Sequence, residues 1–101
     1  MSVPPILRSD PANNDLQAIW DYLAAEASPG IADFVIARLY EAMERAAEAP
    51  LAYRERREYR GNPRRINVFD YAIFFEPLPE GDGIFVLRVL HGRRDLTRLL
   101  R

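Results

Sequence analysis

Hydrophobic positions along the chain change period once, near Pro50. Before that point they recur with helical spacing. Leu16, Ile19, Trp20 and Leu23 fall at i, i+3, i+4 and i+7, which places them on one face of a first helix. Asp10-Pro11 ahead of them reads as an N-cap followed by proline at the first helical position. Ser28-Pro29 repeats the signal, so one helix ends and the next begins within a few residues. Ile31, Val35, Leu39, Ala42, Met43 and Ala46 supply the second apolar stripe, and Pro50 closes it. The pattern predicts an αα-hairpin with both stripes turned to the core. Ile6 to Ser9, before the hairpin, reads as a short strand.

After Pro50 the period falls from about 3.6 to 2. Arg65, Asn67 and Phe69 alternate with Ile66 and Val68; Tyr71, Ile73 and Phe75 alternate with Ala72, Phe74 and Glu76. Leu78-Pro79 ends the second of these strands. Glu80-Gly81-Asp82-Gly83 then provides a hairpin connection whose glycines can take positive φ. Ile84 to Leu90 returns as a strand apolar on both faces except at Arg88, which marks it as interior to a sheet. The order is strand, helix hairpin, three-stranded antiparallel meander and a short Leu-spaced tail from Asp95. This is an α+β fold in one domain spanning 1–101, with the tail expected as a short C-terminal helix.

Composition narrows the function. At 101 residues the chain buries about two-thirds of its unfolded surface, so its stability is modest. No apolar run approaches the roughly 18 residues of a membrane span, and the N-terminus lacks a basic-then-apolar leader, so no membrane partner and a cytoplasmic location are expected. Without cysteine there is no disulfide framework and no thiolate zinc site; a single histidine argues against a His-based metal site. No cofactor motif is present. The net charge of −1 hides a segregation: residues 1–50 carry eight acids and three arginines, residues 51–101 seven acids and eleven arginines. All fourteen cations are arginine, the side chain that grips carboxylates and phosphates bidentately.

The candidate chemistry gathers late in the chain. His91 is the one side chain with an ordinary pKa near neutrality and so the one obvious general acid or base. Glu58 and Arg65, if brought across the sheet to His91, would complete a set able to cleave RNA by attack of its 2′-hydroxyl. The competing reading is a strand-terminal histidine bonded to a nearby carbonyl. Arg88, inside an apolar strand, needs a carboxylate, and Glu76 or Asp95 is the expected partner. Arg60, Arg64, Arg65, Arg93, Arg94 and Arg98 form a basic patch if the meander gathers them. Tyr59, Phe69 and Tyr71 offer faces for base stacking but fit no ribonucleoprotein motif.

The ordered pieces Asp15-Leu16, Ile19-Trp20-Asp21-Tyr22, Pro50, Glu58-Tyr59-Arg60-Gly61, Arg64-Arg65-Ile66, Tyr71-Ala72-Ile73-Phe74-Phe75-Glu76 and Val86 to Leu96 resemble the ParE toxins of the RelE/ParE superfamily. The resemblance runs over nearly the whole chain. It implies a β-α-α-β-β-β fold and a toxin of a type II toxin–antitoxin module. Such a toxin inhibits DNA gyrase by protein binding, does no chemistry of its own, and is neutralised by a ParD-like antitoxin in a hetero-oligomer. Sequence-specific DNA binding by the toxin alone is not expected. Arg60, Arg65, Arg93 and Arg94 are the candidate antitoxin contacts; Leu96, Arg98, Leu99 and Leu100 are the candidate gyrase-facing residues. RelE-like relatives instead cut messenger RNA on the ribosome, using basic residues and a late tyrosine or histidine. Here no lysine is present and no tyrosine follows Tyr71, whereas Glu58, Arg65 and His91 are all available as an alternative catalytic set. The sequence departs from the family pattern where Tyr53, not glycine, precedes Arg54, which singles out the turn after the hairpin.

Overall fold

The computed structural model describes residues 3–79 and 81–95. The expected C-terminal helix, with Leu96, Arg98, Leu99 and Leu100, lies outside the described residues. Strand β1 (Ile6–Arg8) leads into helices α1 (Asp10–Glu26) and α2 (Pro29–Glu48), then a 3₁₀ turn at Pro50–Ala52. Strands β2 (Arg64–Val68), β3 (Tyr71–Pro77) and β4 (Ile84–His91) follow. The fold is α+β, as the change of period predicts.

The first cap is one residue earlier than the sequence suggests. Ser9, in extended backbone, accepts from the Ala12 N–H at 3.0 Å, and Asp10 becomes the first helical residue. There its charge favours the positive end of the helix dipole. Ser28 caps α2 as expected, accepting from the Ile31 N–H at 3.1 Å. The helix stripes bury Leu16, Ile19, Leu39, Ala42, Met43 and Ala46. Ile31 departs from expectation: it sits in the first turn of α2 and is exposed.

The four strands lie in the order β1-β4-β3-β2, so β4 is interior, as its apolar faces predict. β1 pairs parallel to it; β3 pairs antiparallel to both β4 and β2. Tyr71, Ile73, Phe75, Ile84, Val86 and Val89 face the helices and close the main core. Tyr59, Ala72, Phe74 and Leu90 form a smaller cluster on the other face. The loop before β2 thus covers part of the outer sheet. Tyr53 is extended (φ −104°, ψ 130°), so no glycine is required there, and its ring meets Phe75 edge-on at 5.6 Å.

The alternation of β4 breaks in the middle. Phe75 faces Val86 but Phe74 faces Arg88, so Leu87 is the extra residue of a bulge. Core-facing positions run Ile84, Val86, then Val89. The bulge falls just past the end of β1, whose last partner is Val86, where β4 has no further strand on that edge. Backbone groups exposed there need partners. Helix α1 and its cap provide them: the Ser9 hydroxyl donates to the Leu87 carbonyl at 2.7 Å, and the Val89 N–H donates to Asp15 at 2.9 Å.

Candidate functional site

Arg88 directly follows the bulge and is bound by helix α1. Arg88 donates through Nε and Nη2 to the two oxygens of Asp15, at 2.8 and 2.9 Å. This corrects the expected partners. Glu76 is exposed, and Asp95 instead accepts from the His91 backbone N–H at 3.0 Å. The hydrogen bonds that Arg88 donates to Asp15 raise its pKa above the ordinary value, against the opposing effect of burial. Arg88 is therefore committed to a structural fork between α1 and β4.

His91 stands opposite Tyr71 in the β3–β4 register and shares its helix-facing side; the two rings meet edge-on at 5.6 Å. Its Nδ1 accepts from the backbone N–H groups of Arg93 and Arg94 at 3.2 and 3.3 Å. Among the described residues the ring is thus an acceptor for the turn that follows β4, not a donor to a carbonyl. Arg65 pairs with Phe74 and lies on the outer face. There its guanidinium sits 5.6 Å from the Phe74 ring and donates to the Tyr59 hydroxyl and to Asn67, both at 2.8 Å. Glu58, also exposed, accepts from Arg56 at 3.1 Å. Its carboxyl is held below the usual range, first by its own backbone N–H and then by Arg56. Glu58, Arg65 and His91 are not brought together: the first two are engaged locally, and the sheet separates Arg65 from the imidazole.

The candidate arginines divide in the same way. Arg65 and Arg93 line one shallow hollow of about 300 Å³ with Asn67, Phe69 and Asp70. Phe69 takes positive φ (53°) in the β2–β3 turn and stays exposed beside Phe34, with ring centroids 6.2 Å apart. Arg94 turns to the helix side, its guanidinium carbon 5.6 Å from the Tyr22 ring centroid. Arg60 is exposed in the loop before β2. Arg64 approaches Glu55 at 4.0 Å.

Two features escape a linear reading. One is a groove of about 610 Å³ between the helices, lined by Leu16, Trp20, Ile36 and Tyr40 and crossed by a 2.8 Å bond from Trp20 Nε1 to Asp33. The i, i+4 spacings of Leu16 with Trp20 and Ile36 with Tyr40 are its only sequence signal. The other is a pocket of about 320 Å³ beneath the end of β4, where α1 meets Tyr71, His91 and Arg94. Burial raises the Tyr71 phenol above its ordinary pKa; Arg94 opposes the rise, while Tyr22, Asp70 and Asp95 add to it.

A family model described as the ParE toxin of the type II toxin–antitoxin system parDE matches residues 6–96. The chain belongs to this family of type II toxin–antitoxin toxins. It is similar to Toxin ParE1 of two strains of Mycobacterium tuberculosis, 33% identical over 94 residues, which cover 93% of this chain and 95% of the relative. A solved structure, of the chromosomal ParDE toxin–antitoxin system from P. aeruginosa, shares the fold with a TM-score of 0.73 at 18% identity. That match covers 88% of this chain and 96% of the other.

Proposed function

We infer that this toxin acts in the cytoplasm by binding DNA gyrase, performs no chemistry itself, and is held inactive by a ParD-like antitoxin. Family membership supplies the toxin class. The observation that carries the binding reading is the dispersal of the one set able to do acid–base chemistry: His91 lies on the helix side, Arg65 on the outer face with Tyr59, and Glu58 with Arg56. Among the described residues no helix is long and apolar enough to cross a membrane.

The antitoxin in this reading lays an apolar segment along the helix groove at Trp20 and Tyr40 and sets acidic residues against Arg60, Arg65, Arg93 and Arg94. A segment that orders on binding suits a groove with both apolar walls and polar edges. Leu96, Arg98, Leu99 and Leu100 are assigned to the gyrase contact. Deleting residues 96–101 should abolish toxicity while antitoxin binding persists; full toxicity of the truncated chain rules out that assignment.

The mode of action is tested by pulse-labelling DNA and protein synthesis within minutes of inducing the chain alone. An early fall in DNA synthesis with translation intact is expected. If translation stops first, the chain is instead a ribosome-dependent endoribonuclease, and His91→Ala should then abolish toxicity.

A further inference from the structure

We propose that the pocket between α1 and the end of β4 is a binding site for a small oxyanion, a phosphate monoester in first place, held by Tyr22, Tyr71, His91 and Arg94. Both carboxylates of the pocket are already engaged: Asp15 by Arg88 and the Val89 N–H, Asp95 by the His91 N–H. The imidazole acceptor is used as well, because Nδ1 takes the N–H groups of Arg93 and Arg94. A neutral ring with Nδ1 as acceptor carries its hydrogen on Nε2.

Among the described residues, four donors that line the pocket have no hydrogen-bond partner: the Tyr22 and Tyr71 hydroxyls, the His91 Nε2–H and the Arg94 guanidinium. Tyr71 is only 8% exposed and lines the pocket. A phenol is neutral at ordinary pH and so able to donate, and Tyr22 and Arg94 line the same pocket. Arg94 is held at the mouth by the Tyr22 ring. Donors from four side chains lining one pocket suit an anion rich in acceptor oxygens. Phosphate, with three strong acceptors on a monoester, meets that condition better than a carboxylate. At about 320 Å³ the space admits such a group together with part of the molecule that carries it.

The site is independent of the gyrase reading and can be tested without it. The full chain is titrated with inorganic phosphate at constant ionic strength, with chloride as the matched control. The His91 ring resonances and the Tyr71 backbone amide are followed by NMR. Saturable shifts are expected with phosphate and not with chloride. Tyr71→Phe and Arg94→Gln should each weaken binding by roughly tenfold or more, since each removes a donor to a charged acceptor. Arg57→Gln, exposed in the loop before β2, should leave it unchanged. Absence of saturable shifts, or equal binding by wild type and both pocket variants, overturns the proposal. Tighter binding of acetate than of phosphate overturns the assignment to phosphate.

Discussion

The Asp15 carboxylate holds two parts of β4 at once: the Arg88 guanidinium through both oxygens, at 2.8 and 2.9 Å, and the Val89 N–H at 2.9 Å. Asp15 lies in the second turn of α1, and Arg88 lies 73 residues later, next to the bulged residue of the interior strand. The pair thus fixes the axial position of the helix hairpin on the sheet. Its side chains retain 30% and 14% exposure, so solvent screens part of the attraction. Asp15→Asn should nevertheless destabilise the fold by about 1–3 kcal/mol, because the guanidinium and the amide lose a charged acceptor together. Urea unfolding measures this. Adding Arg88→Met to the Asp15→Asn chain should recover part of the loss, a coupling read from the double-mutant cycle.

Ser9 and Ser28 both cap helices, but only Ser9 also reaches the sheet, donating to the Leu87 carbonyl. Ser28→Ala should cost about 1 kcal/mol, the ordinary value of a lost cap. Ser9→Ala should cost more, about 2 kcal/mol, since a half-buried carbonyl is left without its donor as well. Thermal melts of the two variants side by side decide whether the difference exists.

The two glycines of the β3–β4 connection should differ sharply. Both have φ above 100°, which L side chains rarely adopt. At Gly81 an added Cβ meets nothing within 4 Å; at Gly83 it would fall 2.8 Å from both the Pro5 carbonyl oxygen and Leu78 Cδ1. Gly81→Ala should therefore cost about 1 kcal/mol of backbone strain. Gly83→Ala must in addition displace the chain ahead of β1, and its midpoint in urea should drop well below that of Gly81→Ala.

The raised Tyr71 pKa has a defined consequence for stability. The unfolded phenol loses its proton near pH 10, whereas the folded one resists, chiefly because it is buried. The folded state then binds more protons than the unfolded state across the alkaline range. The contribution is fully present at neutral pH and is lost as pH rises above about 10 toward the folded pKa. Unfolding measured from about pH 8 to about pH 11 should therefore show a shallower alkaline decline in Tyr71→Phe than in the parent chain.

Arg65 and Arg93 meet at one hollow, so their loss should act on one contact. In the proposed complex, Arg65→Gln with Arg93→Gln should weaken antitoxin binding by at least roughly tenfold in calorimetry. His91→Ala should leave both antitoxin affinity and toxicity largely intact. Unchanged affinity in the double variant would remove these arginines from the antitoxin contact.

Local chemistry made much of this protein legible from its sequence. The two stripes, the proline-marked helix starts, the change of period at Pro50 and the Gly-rich turn specify the elements and their order. Each is a short-range preference that a few neighbouring residues express. The apolar faces of β4 also announce its interior place. Family likeness, carried by many short pieces in a fixed order, extended that reading to the toxin class. The tertiary structure alone decided which partners meet. The bulge at Leu87 shifts the face of every later residue in β4, and a one-residue shift leaves no mark in a strand apolar on both sides. Hence His91 turns toward Tyr71 and the helices, away from Arg65, while Arg88, past the end of β1, is met by Asp15 of α1 and not by Glu76 or Asp95. The phosphate pocket likewise draws on α1, β3 and the turn after β4, and its character depends on which carboxylates other groups have already taken.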